Sequence, residues 1–482
     1  MPVRPLDPIS MCVVTIVKRA EHLTWTADQI DSHPMNFGGN RGEWQNWART
    51  AQSNPVRRVR PRDEEGLAAV VRGAGDLRVR AVGAGHSFTG AAVTDGILLS
   101  LDAMTGIERV ERRADGTARV TVLAGTRLGD LNAGLAAHGL GLRNLGDIDR
   151  QSIAGAISTG THGTGIRLPG LAAQVAGVRL VTAAGDVVEA SPEHRPELFE
   201  VARLGLGSVG VLSAVTLDVV PAFRLEAVEE PWPLDRVLEQ LDGPDGLVEA
   251  NDHFEFYWFP HTRRTLTKRN NRVPDDDVRP LSRVRAWVDD ELLSNGVFAA
   301  TNTLTAAVPA LTPSVNGIAA RALGARTYTA ASHEVLVSPR RVRFREMEYA
   351  IPRAAVPQVL AEIERWLAAS GERIPFPLEV RYTAPDDVWL STAYRRETAY
   401  VAVHQYVRLP YRRYFTAVER IVAQVQGRPH WGKLHWLGPE ELDALYPRLA
   451  QARAVRAEAD PGGRFANAYV DHVLGAPAER AA

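Results

Sequence analysis

Cysteine, net charge and long apolar runs are all scarce in this sequence. One cysteine, Cys12, stands among 482 residues, which excludes an intrachain disulfide and a zinc site built on cysteines. Such low cysteine use is typical of a reducing compartment, and we predict a cytoplasmic protein. The 56 Lys+Arg residues nearly balance the 57 Asp+Glu residues, giving a net charge of −1. This balance argues against nucleic-acid binding, which needs an excess of basic residues to neutralise phosphates.

Apolar stretches long enough to cross a membrane are also lacking. Near the N-terminus, Pro5, Asp7 and Pro8 interrupt any secretory apolar region, and the run from Met11 to Val17 is too short for a span. The longest charge-free stretch, Leu292–Ala320, contains two prolines and several Ser, Thr and Asn residues. We interpret it as a buried helix pair, with peripheral membrane contact as the alternative, and predict no stable membrane span.

What the sequence does contain is enough apolar residues, 45%, for large cores. Short strands that follow one another closely, with helices between them, predict an α+β fold. Helices are predicted to begin at Arg62-Asp63-Glu64-Glu65 and at Ser191-Pro192-Glu193, and another is predicted over Pro439–Arg456. After Pro221 the strands become rich in aromatic residues. We therefore divide the chain into an N-terminal extension, two α+β domains and a C-terminal segment: residues 1–45, 46–225, 226–438 and 439–482.

The first glycine-rich segment, Gly83-Ala84-Gly85-His86-Ser87, follows a predicted strand. It is not a dinucleotide fingerprint, because Phe88 stands where the third glycine belongs and a turn and a strand follow where a helix is required. The segment instead predicts a tight turn whose backbone N–H groups approach a ligand closely. One imidazole, that of His86, projects from this turn.

Two further glycine-rich segments follow. Between Ser158 and Gly165, eight consecutive positions hold only Gly, Ser, Thr and one His, which supplies the N–H donors and hydroxyls that a pair of phosphates needs. A flexible loop is the alternative interpretation. The third segment, Leu204–Val211, leads into a strand. Three glycine turns in one half of the chain favour a cofactor-binding domain.

Ionisable side chains concentrate on predicted strands of the second half. In Pro377–Thr383 the alternation places Glu379 and Arg381 on one face, either as a surface ion pair or as part of a site. His404 shares a face with Tyr406, and Lys433 would share a side with His435 if Arg428–Trp436 is extended. A cation such as Lys433 can stabilise a developing alkoxide.

Together, the motifs resemble a known family. In order along the chain they read V-G-A-G-H-S, N-L-G, I-A-G-A-I-S-T-G-T-H-G-T-G, F-Y-W-F-P-H-T, M-E-Y-A-I-P-R, P-L-E-V-R-Y-T, G-R-P-H-W-G-K-L-H and F-A-N-A-Y. This series, from about Trp47 to Tyr469, resembles the aldonolactone oxidases, which are flavoenzymes of the vanillyl-alcohol-oxidase fold. The resemblance implies a two-domain flavoprotein with a PCMH-type FAD-binding domain, a mixed α+β substrate cap, and a C-terminal segment that returns to the flavin.

The resemblance also implies roles for residues of the first half. His86 would carry a covalent bond to the flavin 8α-methyl, and the Gly163–Gly165 turn would hold the pyrophosphate. Because Cys12 lies far from any matching position, a single histidyl link is expected. Gly146 stands at the position thought to gate oxygen, where glycine favours an oxidase. The cofactor-binding residues so implied are Gly83, Ala84, Gly85, His86, Ser87, Asn144, Gly146, Ile153, Gly155, Ser158, Thr159, Thr161, His162, Gly163, Gly165, Gly210 and Val211.

The implied reaction oxidises a secondary alcohol of an aldono-1,4-lactone, of the L-gulono or D-arabinono type, to the keto lactone. Hydride passes to flavin N5, O2 is reduced to H2O2, and no metal is expected. Glu379 would bind substrate hydroxyls, Arg381 or Lys433 would stabilise negative charge, and His404 and His435 complete the catalytic candidates. The alternatives are an alditol or other polyol oxidase, or a dehydrogenase with another acceptor. A flavin or carbohydrate binder without catalysis is a third hypothesis, disfavoured by these charged residues.

Overall fold

Residues 43–281, 296, 298–338 and 342–476 are described by the computed structural model of the chain. Cys12, nearly all of the predicted extension 1–45, residues 292–295 and 297 of the charge-free stretch, and residues 477–482 lie outside the described residues. The described residues fall in one compact unit. Two large sheets and their helices can be distinguished within it.

The first half builds a small parallel sheet and a larger antiparallel one. The strands are β1 (Trp44–Gln45), β2 (Gln52–Ser53), β3 (Arg57–Val59), β4 (Val79–Val82), β5 (Ile97–Ser100), β6 (Ile107–Arg112), β7 (Ala118–Leu123), β8 (Leu140–Gly141), β9 (Val175–Val181), β10 (Val187–Ala190) and β11 (Val211–Pro221). The helices are α1 (Glu64–Arg72), α2 (Leu128–Ala137), α3 (Ile153–Ser158) and α4 (Pro196–Arg203). Strands β3, β5 and β4 pair in parallel, and the larger sheet has the order β10-β9-β11-β7-β6, with β8 also paired to β11.

The second half builds one antiparallel sheet of eight strands. These are β12 (Arg224–Pro233), β13 (His253–Trp258), β14 (Arg264–Val273), β15 (Arg326–Ala331), β16 (Phe344–Pro352), β17 (Leu378–Thr383), β18 (Thr398–Tyr406) and β19 (Arg428–Pro429), in the order β15-β12-β14-β13-β17-β18-β16-β19. The helices are α5 (Leu234–Glu239), α6 (Phe298–Ala307), α7 (Thr312–Ala322), α8 (Ser332–Leu336), α9 (Val356–Ser370), α10 (Arg412–Ala423), α11 (Pro439–Leu445), α12 (Leu449–Ala459) and α13 (Ala468–Leu474).

The eight-stranded sheet has two chemically different faces. On β17, Leu378, Val380 and Tyr382 join one apolar core with residues of α9 and α10. Because side chains alternate along a strand, Glu379 and Arg381 point to the opposite face. The predicted alternation of this segment is therefore confirmed, and its charged face is the one that carries the site described below.

The C-terminal segment packs in the core of the first half. Leu442, Tyr446, Val455 and Val470 belong to the same apolar cluster as Leu67 of α1. One interruption in this region differs from the sequence prediction. The single helix predicted over Pro439–Arg456 is two helices, α11 and α12, with a break that contains Pro447, whose nitrogen carries no hydrogen to continue a helix.

Two other predictions about helices are wrong. The helix expected to begin at Ser191 begins instead at Pro196, because the Ser191 hydroxyl accepts bonds from the N–H groups of Glu193 and His194 and closes a turn. The helix pair expected to be buried in Leu292–Ala320 exposes apolar side chains on α6, α7 and the short 3-10 turn between them. Leu304, Val308, Leu311 and Ile318 are 38%, 44%, 40% and 46% exposed.

Candidate active site

A first cavity opens beyond the C-terminal end of β4. Residues of the glycine-rich turns form much of its lining. The predicted cofactor residues that line it are Gly83, Ala84, Gly85, His86, Ser87, Gly155, Ser158, Thr159, Gly210 and Val211. The C-terminal segment contributes Phe465 to the same wall.

Close backbone approach explains the glycine at position 83. A Cβ there would lie 2.3 Å from the Ser152 hydroxyl oxygen, which accepts the N–H of Gly155 at the start of α3. Arg80 lines the same cavity. Its buried guanidinium donates hydrogen bonds to the carbonyl oxygens of Leu206 and Phe465, among others, and so connects these segments of the cavity wall. A cavity lined by hydroxyl groups and backbone N–H donors fits an elongated ligand with a phosphate pair, such as FAD.

A second cavity adjoins the first. His86, Ser87, Gln151 and Thr159 line both cavities. The second cavity differs in chemistry, because half of its lining residues are ionisable: His86, Asp147, His162, Glu346, Glu348, Glu379, Arg381, His404, His430 and Lys433. Of the five predicted catalytic residues, the structure brings Glu379, Arg381, His404 and Lys433 together here.

Arg381 is held by three carboxylates. Its Nε lies 3.0 Å from Glu255 Oε2, its Nη2 lies 3.3 Å from Asp147 Oδ2, and the same nitrogen contacts Glu379. Tyr257 donates its hydroxyl to Glu379 at 2.8 Å. Burial lowers the pKa of Arg381, but the three carboxylates outweigh it and raise the pKa well above the usual value, so the guanidinium stays charged.

Lys433 is likewise paired inside the cavity. Its ammonium contacts Glu346, whose other oxygen lies 3.5 Å from His404 Nε2. Burial would raise the pKa of Glu346, but Lys433 and His404 outweigh it and lower the pKa to about 2. The two predicted cations thus do not form a patch of uncompensated positive charge, because each has a buried carboxylate in contact.

A third group of buried polar side chains completes this wall. Glu348 Oε1 lies 3.2 Å from His162 Nε2, and the ring of His162 stacks on Tyr400 with 3.5 Å between centroids. His430 Nδ1 accepts the N–H of Gly432 at 3.0 Å, and burial lowers the pKa of His430 to about 4. Ligand atoms of His162, Glu348 and His430 lie within 4.8 Å of one another, a spacing compatible with a metal ion.

Several residues of this site were missed by the sequence reasoning. Glu346 and Glu348 stand two positions apart on β16, on either side of Met347, so they share a face of the sheet. Glu255 and Tyr257 alternate with Phe254 and Phe256 on β13 in the same way, so the alternation was a readable signal for all four residues. Asp147 carried no comparable signal, because it reaches Arg381 from a loop.

Other predicted residues lie outside both cavities. His435 is not on an extended strand shared with Lys433, because the strand ends at Pro429; its Nε2 lies 3.0 Å from the Tyr469 hydroxyl oxygen. The Gly165 N–H donates to the Tyr382 carbonyl and is not available to a ligand. Asn144, Ile153 and Gly163 do not line either cavity, whereas Gly146, Thr161 and His162 line the second.

Gly146 packs against the segment that contains His162. A Cβ at this position would lie 2.9 Å from Thr161 Cγ2 and 3.2 Å from the His162 carbonyl oxygen. The glycine is therefore required for close packing here, whatever else it does. None of the described helices has the length and apolar character needed to cross a membrane.

A backbone-built cavity that adjoins a cavity of buried ion pairs defines a two-part cofactor enzyme. Residues 55–191 match the model of an FAD binding domain, and residues 215–473 match that of the D-arabinono-1,4-lactone oxidase family. The chain belongs to this aldonolactone oxidase family and is an FAD-linked oxidoreductase of the vanillyl-alcohol-oxidase fold.

Individual relatives cover nearly the whole chain. An L-gulono-1,4-lactone dehydrogenase of Mycobacterium tuberculosis is 40% identical, over 90% of this chain and 99% of its own. An L-gulonolactone oxidase of Bos taurus is 32% identical, over 91% and 100%, and an alditol oxidase of a Streptomyces species is 32% identical, over 89% and 98%. A cholesterol oxidase from B. sterolicum superposes with a TM-score of 0.73 at 19% identity, over 92% of this chain and 98% of that one, and so shares the fold.

Proposed function

We propose that this protein oxidises a secondary alcohol of an aldono-1,4-lactone, of the L-gulono or D-arabinono type, to the keto lactone. The observation that carries the proposal is the second cavity, where the buried Glu379 and Arg381 and the partly buried Lys433 lie together beside His86 and the glycine-lined cavity. The names of relatives that match from end to end supply the lactone. An alditol or other polyol is the alternative substrate, supported by the Streptomyces alditol oxidase.

In this proposal FAD supplies the acceptor for the hydride that leaves the substrate carbon. Glu379 accepts hydrogen bonds from substrate hydroxyls, and Tyr257 and Arg381 fix its orientation. Arg381 and Lys433 stabilise the negative charge that develops on oxygen. Because Arg381 is buried and Lys433 is partly buried, both cations lie in a site whose dielectric constant is lower than that of water, and their contribution to the transition state is larger than it would be in water.

Attachment of the cofactor is proposed through His86. Its imidazole lines both cavities and lies beside Trp47, with 5.5 Å between ring centroids. The glycine turns of the first cavity would receive the rest of FAD. From the sequence we also propose the domain boundaries 46–225, 226–438 and 439–482, and a cytoplasmic location.

Oxygen is the proposed electron acceptor, with H2O2 as its product. Gly146 supports this choice because it leaves the wall of the second cavity without a side chain. The names of two relatives differ in the electron acceptor that they imply, since the bovine protein is called an oxidase and the mycobacterial protein a dehydrogenase. The acceptor must therefore be measured directly.

The deciding experiment is a substrate screen on the purified yellow protein. L-gulono-1,4-lactone, D-arabinono-1,4-lactone and xylitol are offered in an oxygen electrode and, in parallel, with a dye acceptor. We expect lactone-dependent oxygen uptake with matching H2O2. Turnover of xylitol alone favours the polyol alternative, and turnover with dye but not with oxygen contradicts the oxidase assignment.

Two variants test the flavin proposals in the same assays. His86→Ala should release its flavin on acid precipitation, whereas the wild-type pellet stays yellow. Gly146→Ala should lower the rate of oxygen uptake more than the rate of dye reduction, because the added methyl group takes up space beside Thr161 in the second cavity. A colourless wild-type pellet argues against the covalent bond, and equal losses with both acceptors argue against an oxygen gate.

A further inference from the structure

Two carboxylate and imidazole pairs stand side by side on the charged face of β16. In both pairs the histidine directs Nδ1 at a backbone carbonyl and Nε2 at a glutamate. His162 Nδ1 lies 2.9 Å from the Gly163 oxygen and its Nε2 lies 3.2 Å from Glu348. His404 Nδ1 lies 3.1 Å from the Pro377 oxygen and its Nε2 lies 3.5 Å from Glu346. The pairs look alike, but their surroundings differ.

His162 faces an oxygen acceptor at each ring nitrogen, the Gly163 carbonyl at Nδ1 and the Glu348 carboxylate at Nε2. Among the described residues, His162 is the one basic side chain in contact with Glu348, and both groups are buried. A neutral imidazole that gives its one hydrogen to Gly163 would turn a lone pair towards a carboxylate, an unfavourable contact at 3.2 Å. With both nitrogens protonated, each donates to an oxygen and the buried charge is compensated.

A metal ion could replace that proton only with help from His430, and His430 cannot give it. Its Nδ1 already accepts the N–H of Gly432 at 3.0 Å, so the proton of the neutral ring sits on Nε2. Neither nitrogen then offers a lone pair to a metal ion. The group of His162, Glu348 and His430 is better described as an ion pair beside a neutral histidine.

Glu346 does not need a positive charge on His404, because the ammonium of Lys433 already contacts the Glu346 carboxylate. The charge of the carboxylate is compensated while the imidazole stays neutral. His404 can keep one hydrogen on Nδ1, given to the Pro377 carbonyl, and leave the Nε2 lone pair free. At 3.5 Å the separation from Glu346 is at the long limit of an N–H···O bond, so an unprotonated Nε2 meets weaker repulsion here than it would in His162, which lies 3.2 Å from Glu348.

We propose that His404 is the proton acceptor of the oxidation, that Glu346 is its positioning residue, and that the His162–Glu348 pair keeps its proton throughout. The inference rests on the proposed function. The substrate C–H bond breaks and its hydrogen leaves with both electrons as hydride to FAD. The O–H bond breaks, its proton goes to Nε2 of His404, and its electron pair forms the second bond of the carbonyl. Glu346 contacts the resulting imidazolium of His404 and stabilises it. The imidazolium later releases its proton to solvent.

Chemical rescue tests the role of His404. His404→Ala and His162→Ala are each mixed without oxygen with L-gulono-1,4-lactone, and the bleaching of the flavin is followed with and without free imidazole. For His404→Ala we expect bleaching slower by roughly 100- to 10,000-fold, the usual range for a lost general base, and recovery that increases with imidazole concentration. Dithionite should bleach the flavin of both variants, which shows that the cofactor is in place.

The matched variants separate a proton acceptor from a residue that only shapes the cavity. Imidazole should not restore His162→Ala. Glu346→Gln should slow bleaching in a way that Glu346→Asp partly restores, while Glu419→Gln, the same change at a carboxylate bonded to Tyr349 outside the cavity, should not. Rescue of His162→Ala but not of His404→Ala overturns the proposal, as does a His404→Ala rate within threefold of wild type.

A second measurement does not depend on turnover. In the holoenzyme labelled with 15N-histidine, assigned with His162→Gln and His404→Gln, we expect both ring nitrogens of His162 to show bound hydrogen near pH 7 and one nitrogen of His404 to lack it. Two protonated rings contradict the inference. If neither lactones nor xylitol bleach the wild-type flavin, the proposed function fails and the inference falls with it; a bleaching wild type with the wrong protonation pattern fails the inference alone.

Discussion

The two adjoining cavities are built in opposite ways. Much of the lining of the first comes from short runs of residues in the glycine-rich turns. The second is lined by side chains from β16, β17, β18 and several loops, which meet in a dense set of ion pairs. A cofactor of fixed structure suits the first kind of wall, whereas a reaction that moves charge needs the second.

The difference also concerns stability. A backbone wall costs little beyond the ordering of its glycines. Arg381 in the second cavity forms one network with Asp147, Glu379 and Glu255, and the removal of one charge leaves others buried without compensation. The charged cavity should therefore be the more sensitive to single substitutions.

The largest expected effect follows from the removal of Arg381. Arg381→Met keeps the aliphatic length but leaves three carboxylates with the ammonium of Lys268 as the remaining basic contact shown for the network. Loss of one partner of a buried network typically costs about 3–5 kcal/mol of the free energy of unfolding. Urea denaturation measures this. Arg365→Met, on an exposed pair with Glu362, should cost at most about 1 kcal/mol.

A compensating change makes this prediction sharper. Glu379→Gln removes one of the stranded charges and leaves the pair of Lys268 with Glu255 intact, so the double variant Arg381→Met, Glu379→Gln should be more stable than Arg381→Met alone. If the double variant is less stable by the sum of the two single effects, the carboxylates do not repel one another in the cavity.

The same contrast decides how much of the site the sequence could predict. Gly83–Ser87 was found because a backbone-built wall is contiguous in sequence, and ten of the residues predicted for the cofactor line the first cavity. The cations Arg381 and Lys433 were found, but not that Asp147 and Glu346 pair with them, because pairing depends on strand order and on loops. No periodicity in one segment reports a partner from a distant one.

The fold shows a similar limit. The alternation in β17 fixed which side chains share a face, because that property is local. Helix ends were harder to predict. Ser191 has the residue type of an N-cap but closes a turn, and Arg195 instead adopts φ of +53° directly before Pro196. On α6 and α7 the composition indicated burial, yet Asn302 and Asn316 face inward while Leu304 and Ile318 are exposed.

An intermediate effect is expected when the backbone wall is filled. In Gly83→Ala the new methyl displaces the Ser152 hydroxyl and breaks the bond that it accepts from Gly155. Loss of such a cap costs about 1 kcal/mol, and the protein should also bind less flavin, measured as absorbance at the flavin band relative to protein. Gly317→Ala, on α7 with open space around it, is the matched control and should keep its flavin. Equal flavin content in both variants contradicts a tight wall at Gly83.

The smallest effect should appear as a dependence of stability on pH, and it comes from neutral histidines rather than from the ion pairs. Burial lowers the pKa of His253 and of His430 to about 4 each, from a usual value near 6.5. Between these values the unfolded chain binds more protons than the folded one, so stability falls as the pH falls through this window. Each histidine should cost roughly 1 kcal/mol between pH 7 and pH 5.5. His253→Gln, which removes a ring whose Nδ1 lies 2.8 Å from the Thr164 carbonyl oxygen, should reduce the slope of melting temperature against pH, whereas His138→Gln, at an exposed position, should leave it unchanged. A steeper slope in His253→Gln, or the same reduction in both variants, contradicts the assignment of the acid sensitivity to buried neutral histidines.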